Sequence, residues 1–424
     1  MIPIVIMFIC IVFLLSSKLY FKYWFNPYFA FNILWFCVAL MLSVGNKFLY
    51  KPSSISLWCV LIGVIGFDLS LFSKKITIGQ STTEITSYKL NHKAIHLLST
   101  IVVITWIIMC IGSLNSLYSG ASFAQVRSEY FTYDNSSNMY YYLRNYFSVP
   151  MGYVVITSTA MEFFAENGNK SKVLLLNTVL IIILQAITSG GRYVLLNSFY
   201  ILLCSYFVLR KNKSFIKFRY KVLIILLCLI LGYIMIFLTN ERSTYLMAEM
   251  NLFEKVYTTI YLYFSGSVTY LGKVIENTPS IVGSTFGINL VAGFISPIFV
   301  ILNFMHIINY PQVFNTIGTY ACVELLIGPS SYFNAMPTAF GYFFIDGGLI
   351  LTFVESWIFG YVCKRFYIRA QEGNLMYIGL FLLLFVQICN SSTRWFIYTS
   401  DFALAFIYMR FILKKRIEFS EDNF

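Results

Sequence analysis

The sequence predicts an all-α integral membrane protein, a polytopic bundle of about eleven spans with a long extracytoplasmic segment holding a re-entrant helix. Three observations predict it. Of 424 residues, 58% are hydrophobic and only 11% charged, against about 25% charged in a soluble domain. Apolar runs of span length recur along the chain, a span needing roughly 20 apolar residues. Lys and Arg gather in the short loops between those runs, as the positive-inside rule expects. One core cannot absorb so much apolar surface, so the sequence reads as a single polytopic membrane domain over residues 1–424.

Apolar segments lie at 1–16, 28–43, 54–72, 94–114, 148–165, 173–188, 193–209, 222–238, 341–362, 375–390 and 398–413. The first has no basic residue before Lys18. It lacks the positive n-region of a signal peptide and is read as a span. With the C-terminus in the cytoplasm and the N-terminus outside, the inner loops carry twenty Lys and Arg against nine outside. That asymmetry sets the orientation. It also accounts for the net charge of +12, and no nucleic-acid partner is expected.

Two outer segments are long, about 115–147 and 239–340, the second lying between the spans 222–238 and 341–362. Within it the run Thr285–Phe304 is apolar but interrupted by Gly287, Gly293 and Pro297. A full crossing there would break the parity, so it reads as re-entrant. Irregular backbone at membrane depth requires surrounding protein or water. The cysteines lie mostly in apolar segments, with no CxxC pair. The three histidines show no metal-ligand spacing. No metal and no cofactor are expected.

Charges at membrane depth mark functional candidates. Asp68 and Glu162 lie near the inner ends of their spans and read as interfacial. Glu355 follows Asp346 by nine residues, about 14 Å along a continuous helix. The outer face is richer. Arg192 follows Ser189-Gly190-Gly191 at a tight corner; Arg242 follows Asn240-Glu241; Arg394 lies in Ser391-Ser392-Thr393-Arg394-Trp395. Three helix ends thus place an arginine outside, against the usual bias. Guanidinium groups grip phosphate oxygens bidentately, so an anionic ligand is expected rather than headgroup snorkelling alone. Glu241, Asp346, Asp401, Glu324 and His306 lie at the same level, each a general base or a salt-bridge partner. Asp401 shares a helical face with Arg394 if that helix is continuous. The outer tyrosines, Tyr140-Tyr141-Tyr142 and Tyr257, Tyr261 and Tyr263, read chiefly as an interfacial belt.

Two motifs point further: the corner Thr188-Ser189-Gly190-Gly191-Arg192, and the stretch from Asn334-Ala335-Met336-Pro337 to Phe344-Ile345-Asp346-Gly347-Gly348. With the span pattern, they resemble the bacterial O-antigen or capsular repeat-unit polymerases of the Wzy type. The family often carries Asp-Phe-Gly where this chain has Asp346-Gly347-Gly348. The resemblance implies a GT-C-like bundle and a metal-independent glycosyltransferase of lipopolysaccharide or capsule biosynthesis. Such an enzyme moves a growing glycan between undecaprenyl-diphosphate-linked oligosaccharides at the outer leaflet of the cytoplasmic (inner) membrane. Membrane lipid and a protein regulating chain length would be its other partners. Arg192, Arg242 and Arg394 would stabilise the departing diphosphate. Asp346, Glu241 and His306, in that order, are candidates to take the acceptor proton. Arg127 and Arg144 would hold the second diphosphate. An O-antigen ligase is the rival enzyme, which a catalytic outer histidine would favour, and His306 keeps that reading open. A flippase for the same lipid is the rival outside enzymes, but it would more often show repeat halves and deep charges.

Overall fold

The structure, a computed structural model, describes residues 1–47, 49–73, 87–122, 125–126, 139–165, 170–189, 191, 193–209, 252–329, 331–333 and 336–416. The expected span 222–238 lies outside them. Among the described residues six helices are long and apolar enough to cross a membrane: 2–21, 27–44, 54–72, 92–118, 172–189 and 339–371. Three shorter apolar helices cover 193–209, 292–304 and 375–390. The protein is a helical membrane protein. Its chain forms two compact units, one built from residues 1–80, 250–369 and 384–403, the other from 81–249, 370–383 and 404–424.

In the first unit, α1 (Ile2–Phe21) and α2 (Pro27–Val44) form a hairpin. α1 is apolar all round and buries only Ile6, Cys10 and Ser17. Ile4, Phe8, Ile11, Leu15 and Leu19 stay exposed along one stripe, a surface that lipid rather than water must cover. α2 starts where Asn26 accepts the Phe29 amide at 2.9 Å and Pro27 supplies a preset φ. Ser53 caps α3 (Ser54–Leu69) in the same way, accepting the Ser56 amide at 3.3 Å.

α3 packs on the long helix Ala339–Gln371 by close backbone approach. A Cβ on Gly66 would stand 2.6 Å from Phe353 O, and one on Gly360 would stand 2.5 Å from Phe67 O and nearer still to Ser70 Oγ. Small residues drive such contacts in membranes, where apolar burial gives helices no reason to associate. The pairing order, Cys59 Sγ to Phe340 O at 3.3 Å and then Gly66 at Phe353, makes the two helices parallel. Aromatic rings fill the remainder: Phe31 stacks on Phe67 at 3.7 Å and Trp35 on Phe340 at 4.6 Å. Gly360→Ala should therefore lower stability by about 1–3 kcal/mol, measured by thermal unfolding in detergent. Gly112→Ala, where a Cβ meets nothing within 4 Å, should leave the midpoint unchanged.

The C-terminal end of α3 is covered by protein. Asp68, read from the sequence as interfacial, is fully buried within the protein, and Asn32 Nδ2 donates to its Oδ1 at 2.8 Å. Lys364, which the sequence places in a loop, is also buried. Its Nζ donates to Leu71 O at 2.8 Å and to Ser73 O at 3.0 Å. It caps the carbonyls left at the end of the Ser70–Phe72 turn.

In the second unit, α4 (His92–Tyr118), α5 (Val149–Phe164), α6 (Lys172–Ser189) and α7 (Tyr193–Leu209) are joined by small polar contacts. Asn177 Nδ2 donates to Ser99 Oγ at 2.9 Å, Ser113 Oγ to Thr188 O at 3.4 Å, and Asn197 Nδ2 to Tyr153 Oη at 2.7 Å. Glu162 is buried too, its Oε1 2.5 Å from His92 Nδ1. β1 (Ser87–Leu90) pairs antiparallel with β2 (Leu413–Arg416), Leu90 opposite Leu413. This ladder sets Lys89 opposite Lys414.

Candidate functional site

The site grows from a broken helix in the first unit. Helix Ala339–Gln371, α11 here, follows α8 (Leu252–Tyr261), α9 (Ser267–Asn277) and α10 (Ala292–Phe304). It leaves helical geometry at Gly347 (φ −176°, ψ 43°) and Gly348 (φ 64°, ψ −154°). The Gly348 conformation belongs to glycine. A Cβ there would meet only Val282 Cγ1, at 3.9 Å. Gly348→Ala thus tests backbone strain alone, and should cost about 1–3 kcal/mol in thermal unfolding.

A break frees carbonyls that dry surroundings cannot leave unpaired. The irregular segment ahead of α10 takes them up. Gly283 N donates to Ile345 O at 2.8 Å and Phe286 N to Asp346 O at 3.1 Å. Asn289 Nδ2 donates to Tyr342 O at 3.2 Å, and Asn289 N to Asp346 Oδ1 at 3.2 Å. The Thr285 hydroxyl and the Gly287 amide also reach the Asp346 carboxyl. Glu355, expected about 14 Å away along a continuous helix, is in hydrogen-bonding contact with Asp346. The break turns the two carboxyls toward each other. Asp346, Thr285 and Asn289 are 0% exposed and Glu355 3%.

The second part of the site follows α12 (Leu375–Asn390). The Arg394 amide donates to Asn390 O at 2.9 Å. Gln387 clasps the turn from both sides, its Nε2 donating to Arg394 O at 3.1 Å and its Oε1 accepting Phe396 N at 2.6 Å. The guanidinium lies over the Phe396 ring, 4.3 Å from its centroid. Arg394 Nε is buried without a hydrogen-bond partner among the described residues. The Cys322 thiol is pushed up to about 11 by burial, with Arg394 pulling the other way. Asp401 opens α13 (Ser400–Ile412) and forms no ion pair with Arg394 among the described residues. The expected shared face fails because residues 393–399 are not α-helical. Trp395 ties the two parts together, its Nε1 donating to Leu290 O at 3.2 Å. Gly293, the second residue of α10, lies against Ile397 O and Thr399 O.

His306 stands apart. It is exposed, with φ 56°, beyond the C-terminal end of α10. The thirteen residues of that helix run about 20 Å, and the Asp346 cluster lies at its other end. Arg144, in the second unit, is 7% exposed, donates from Nε to Asn145 Oδ1 at 3.0 Å and faces the Tyr141 ring. At the Thr188-Ser189-Gly190-Gly191-Arg192 corner, Ser189 Oγ accepts the Gly191 amide at 3.1 Å. Arg192, Arg242, Glu241 and Arg127 themselves lie outside the described residues.

The sequence reading missed Thr285, Asn289, Gln387 and Trp395. For Asn289 the only signal was a carboxamide inside an apolar run. Among the described residues no group of three or more His, Cys, Asp or Glu could hold a metal ion. No protein-family model, curated protein or solved structure matches this chain.

Proposed function

We propose that this protein is a glycosyltransferase that polymerises undecaprenyl-diphosphate-linked repeat units into O-antigen or capsular polysaccharide. The reaction belongs to the outer leaflet of the bacterial inner membrane, with the N-terminus outside and the C-terminus in the cytoplasm. The observation that carries the reading is Arg394, a cation held on a rigid turn with a buried, unpartnered Nε. A guanidinium in that state is prepared for an anion.

In the proposed step, the acceptor hydroxyl oxygen bonds to the anomeric carbon of the donor sugar. The bond from that carbon to the diphosphate oxygen breaks, and the diphosphate leaves with the electron pair. Arg394, with Arg192 and Arg242, stabilises the departing charge. The hydroxyl proton passes to a base, for which Asp346, Glu241 and His306 are the candidates. His306 and Asp346 lie at opposite ends of α10, so they do not share that duty. Arg127 and Arg144 hold the second diphosphate. At about 20 Å, α10 is shorter than the roughly 30 Å hydrocarbon core. It and the segment 283–291 fit a re-entrant element entering from the outer face.

A flippase for the same lipid is the second reading. The broken helix with buried carboxyls favours it, because transporters build substrate and ion sites from discontinuous helices. One experiment separates the two. Purified protein is mixed in detergent with lipid-diphosphate repeat units, where no leaflet exists to cross. A ladder of lengthened products supports the polymerase. Unchanged repeat units, together with translocation of the lipid in proteoliposomes, would establish the flippase instead.

A further inference from the structure

The cluster at the helix break holds more acceptors than donors. Asp346 Oδ2, Glu355 Oε2 and Asn289 Oδ1 are all buried without a hydrogen-bond partner among the described residues. The Asn289 amide nitrogen is committed to Thr285 Oγ1 at 3.0 Å and to Tyr342 O, which fixes its oxygen as the free end. Two carboxylates are both acceptors, so the Asp346–Glu355 contact needs a proton between them. That proton serves one bond between the two carboxyls and still leaves one negative charge, with the Asn289 amide oxygen unpaired, in a dry interior. No Lys or Arg forms an ion pair with either carboxyl among the described residues. An uncompensated buried charge is strongly destabilising, and so is an orphaned buried acceptor.

We propose that a monovalent alkali cation binds among Asp346, Glu355 and Asn289 and completes the junction between the broken helix and the segment 283–291. The ligand chemistry agrees. All three groups are hard oxygen donors, and no sulfur or imidazole is present to select a transition metal. One positive charge balances the single charge of a carboxyl pair sharing one proton. The freed carbonyl end of the first half of α11, a region of negative dipole, adds to the attraction. The proposal does not rest on the glycosyltransferase reading; either can fail alone.

Thermal unfolding of the purified full chain in detergent tests it, with NaCl or KCl replacing choline chloride at constant ionic strength. A saturable rise in Tm of about 3–6 °C in one alkali salt is expected, with the wild-type chain binding one radioactive sodium or rubidium ion in an equilibrium assay. Asn289→Ala, which keeps both carboxyls, should need at least about tenfold more cation for the same rise. Glu355→Gln should abolish the rise while unfolding at the wild-type choline midpoint. Equal midpoints in choline, sodium and potassium for the wild-type chain would overturn the proposal and assign the orphaned oxygens to water. An ion-dependent rise that persists unchanged in both variants would place the cation elsewhere and overturn it equally. Should either variant fail to fold, absence of bound ion in the wild-type assay still decides against it.

Discussion

Arg394→Ala is expected to slow the proposed chain growth by about 10²–10³, the usual cost of losing one preorganised donor to a departing charge. The turn itself should survive the change. It is held by the Arg394 amide on Asn390 O and by Gln387 on Arg394 O and Phe396 N, none of which involves the guanidinium. Expression, membrane insertion and Tm should therefore match wild type while the product ladder collapses toward single repeat units. Arg394→Lys should recover part of the rate, because lysine keeps the charge and loses the bidentate fork. Arg192→Ala and Arg242→Ala are expected to shorten the proposed product ladder too. A wild-type ladder from a normally expressed Arg394→Ala protein would remove this residue from the proposed diphosphate site.

Gly293→Val is expected to be the most damaging change to stability, by about 3 kcal/mol or more, through overpacking against parts that cannot move. A Cβ at this position would stand 2.5 Å from Thr399 O, nearer still to Ile397 O, and 2.7 Å from Ala403 Cβ. Two of these neighbours are main-chain carbonyls, so no rotamer change relieves them. The turn bearing Arg394 and the start of α10 would be driven apart, and the Trp395–Leu290 bond with them. Reduced Tm and lost activity should appear together in the same preparation. Unaltered thermal unfolding of Gly293→Val would show that the approach of these two segments is looser than described.

Much of the helical framework could be read from the sequence because lipid allows few alternatives. An apolar run near twenty residues must become a helix with every backbone group paired, and α1, α2, α3, α4 and α6 follow the runs that predicted them. Caps such as Asn26 and Ser53 stand just ahead of those runs, where a helix start needs them. What escaped was long-range. Nine residues between Asp346 and Glu355 convert to a distance only along unbroken helix, and Gly348 ends that conversion. Seven residues between Arg394 and Asp401 place them on one face only if the helix is continuous, which the turn at 393–399 prevents. Asp68 was read as interfacial because its span ends close by. Lys364, from a helix almost three hundred residues away, covers that end with protein. The arginine on its turn was visible as a misplaced outer charge; the glutamine that clasps it was not, because carboxamides near span ends carry no distinctive signal.

The segment 283–291 holds α11 partly by main-chain bonds, Gly283 N to Ile345 O and Phe286 N to Asp346 O. Such bonds are indifferent to the side chains on either partner. Phe286 is itself 83% exposed and contributes its amide, not its ring. Natural selection can therefore rewrite much of this segment without touching the junction. Constraint falls instead on scattered single positions: Gly348 for its backbone angles, Gly293 for its missing Cβ, Asn289 and Asp346 for their paired atoms. Descendants of a common ancestor are expected to keep those four letters, separated by up to 59 residues along the chain. Kinship among such proteins would then be carried by four separated positions and the backbone between them, not by any contiguous stretch of sequence.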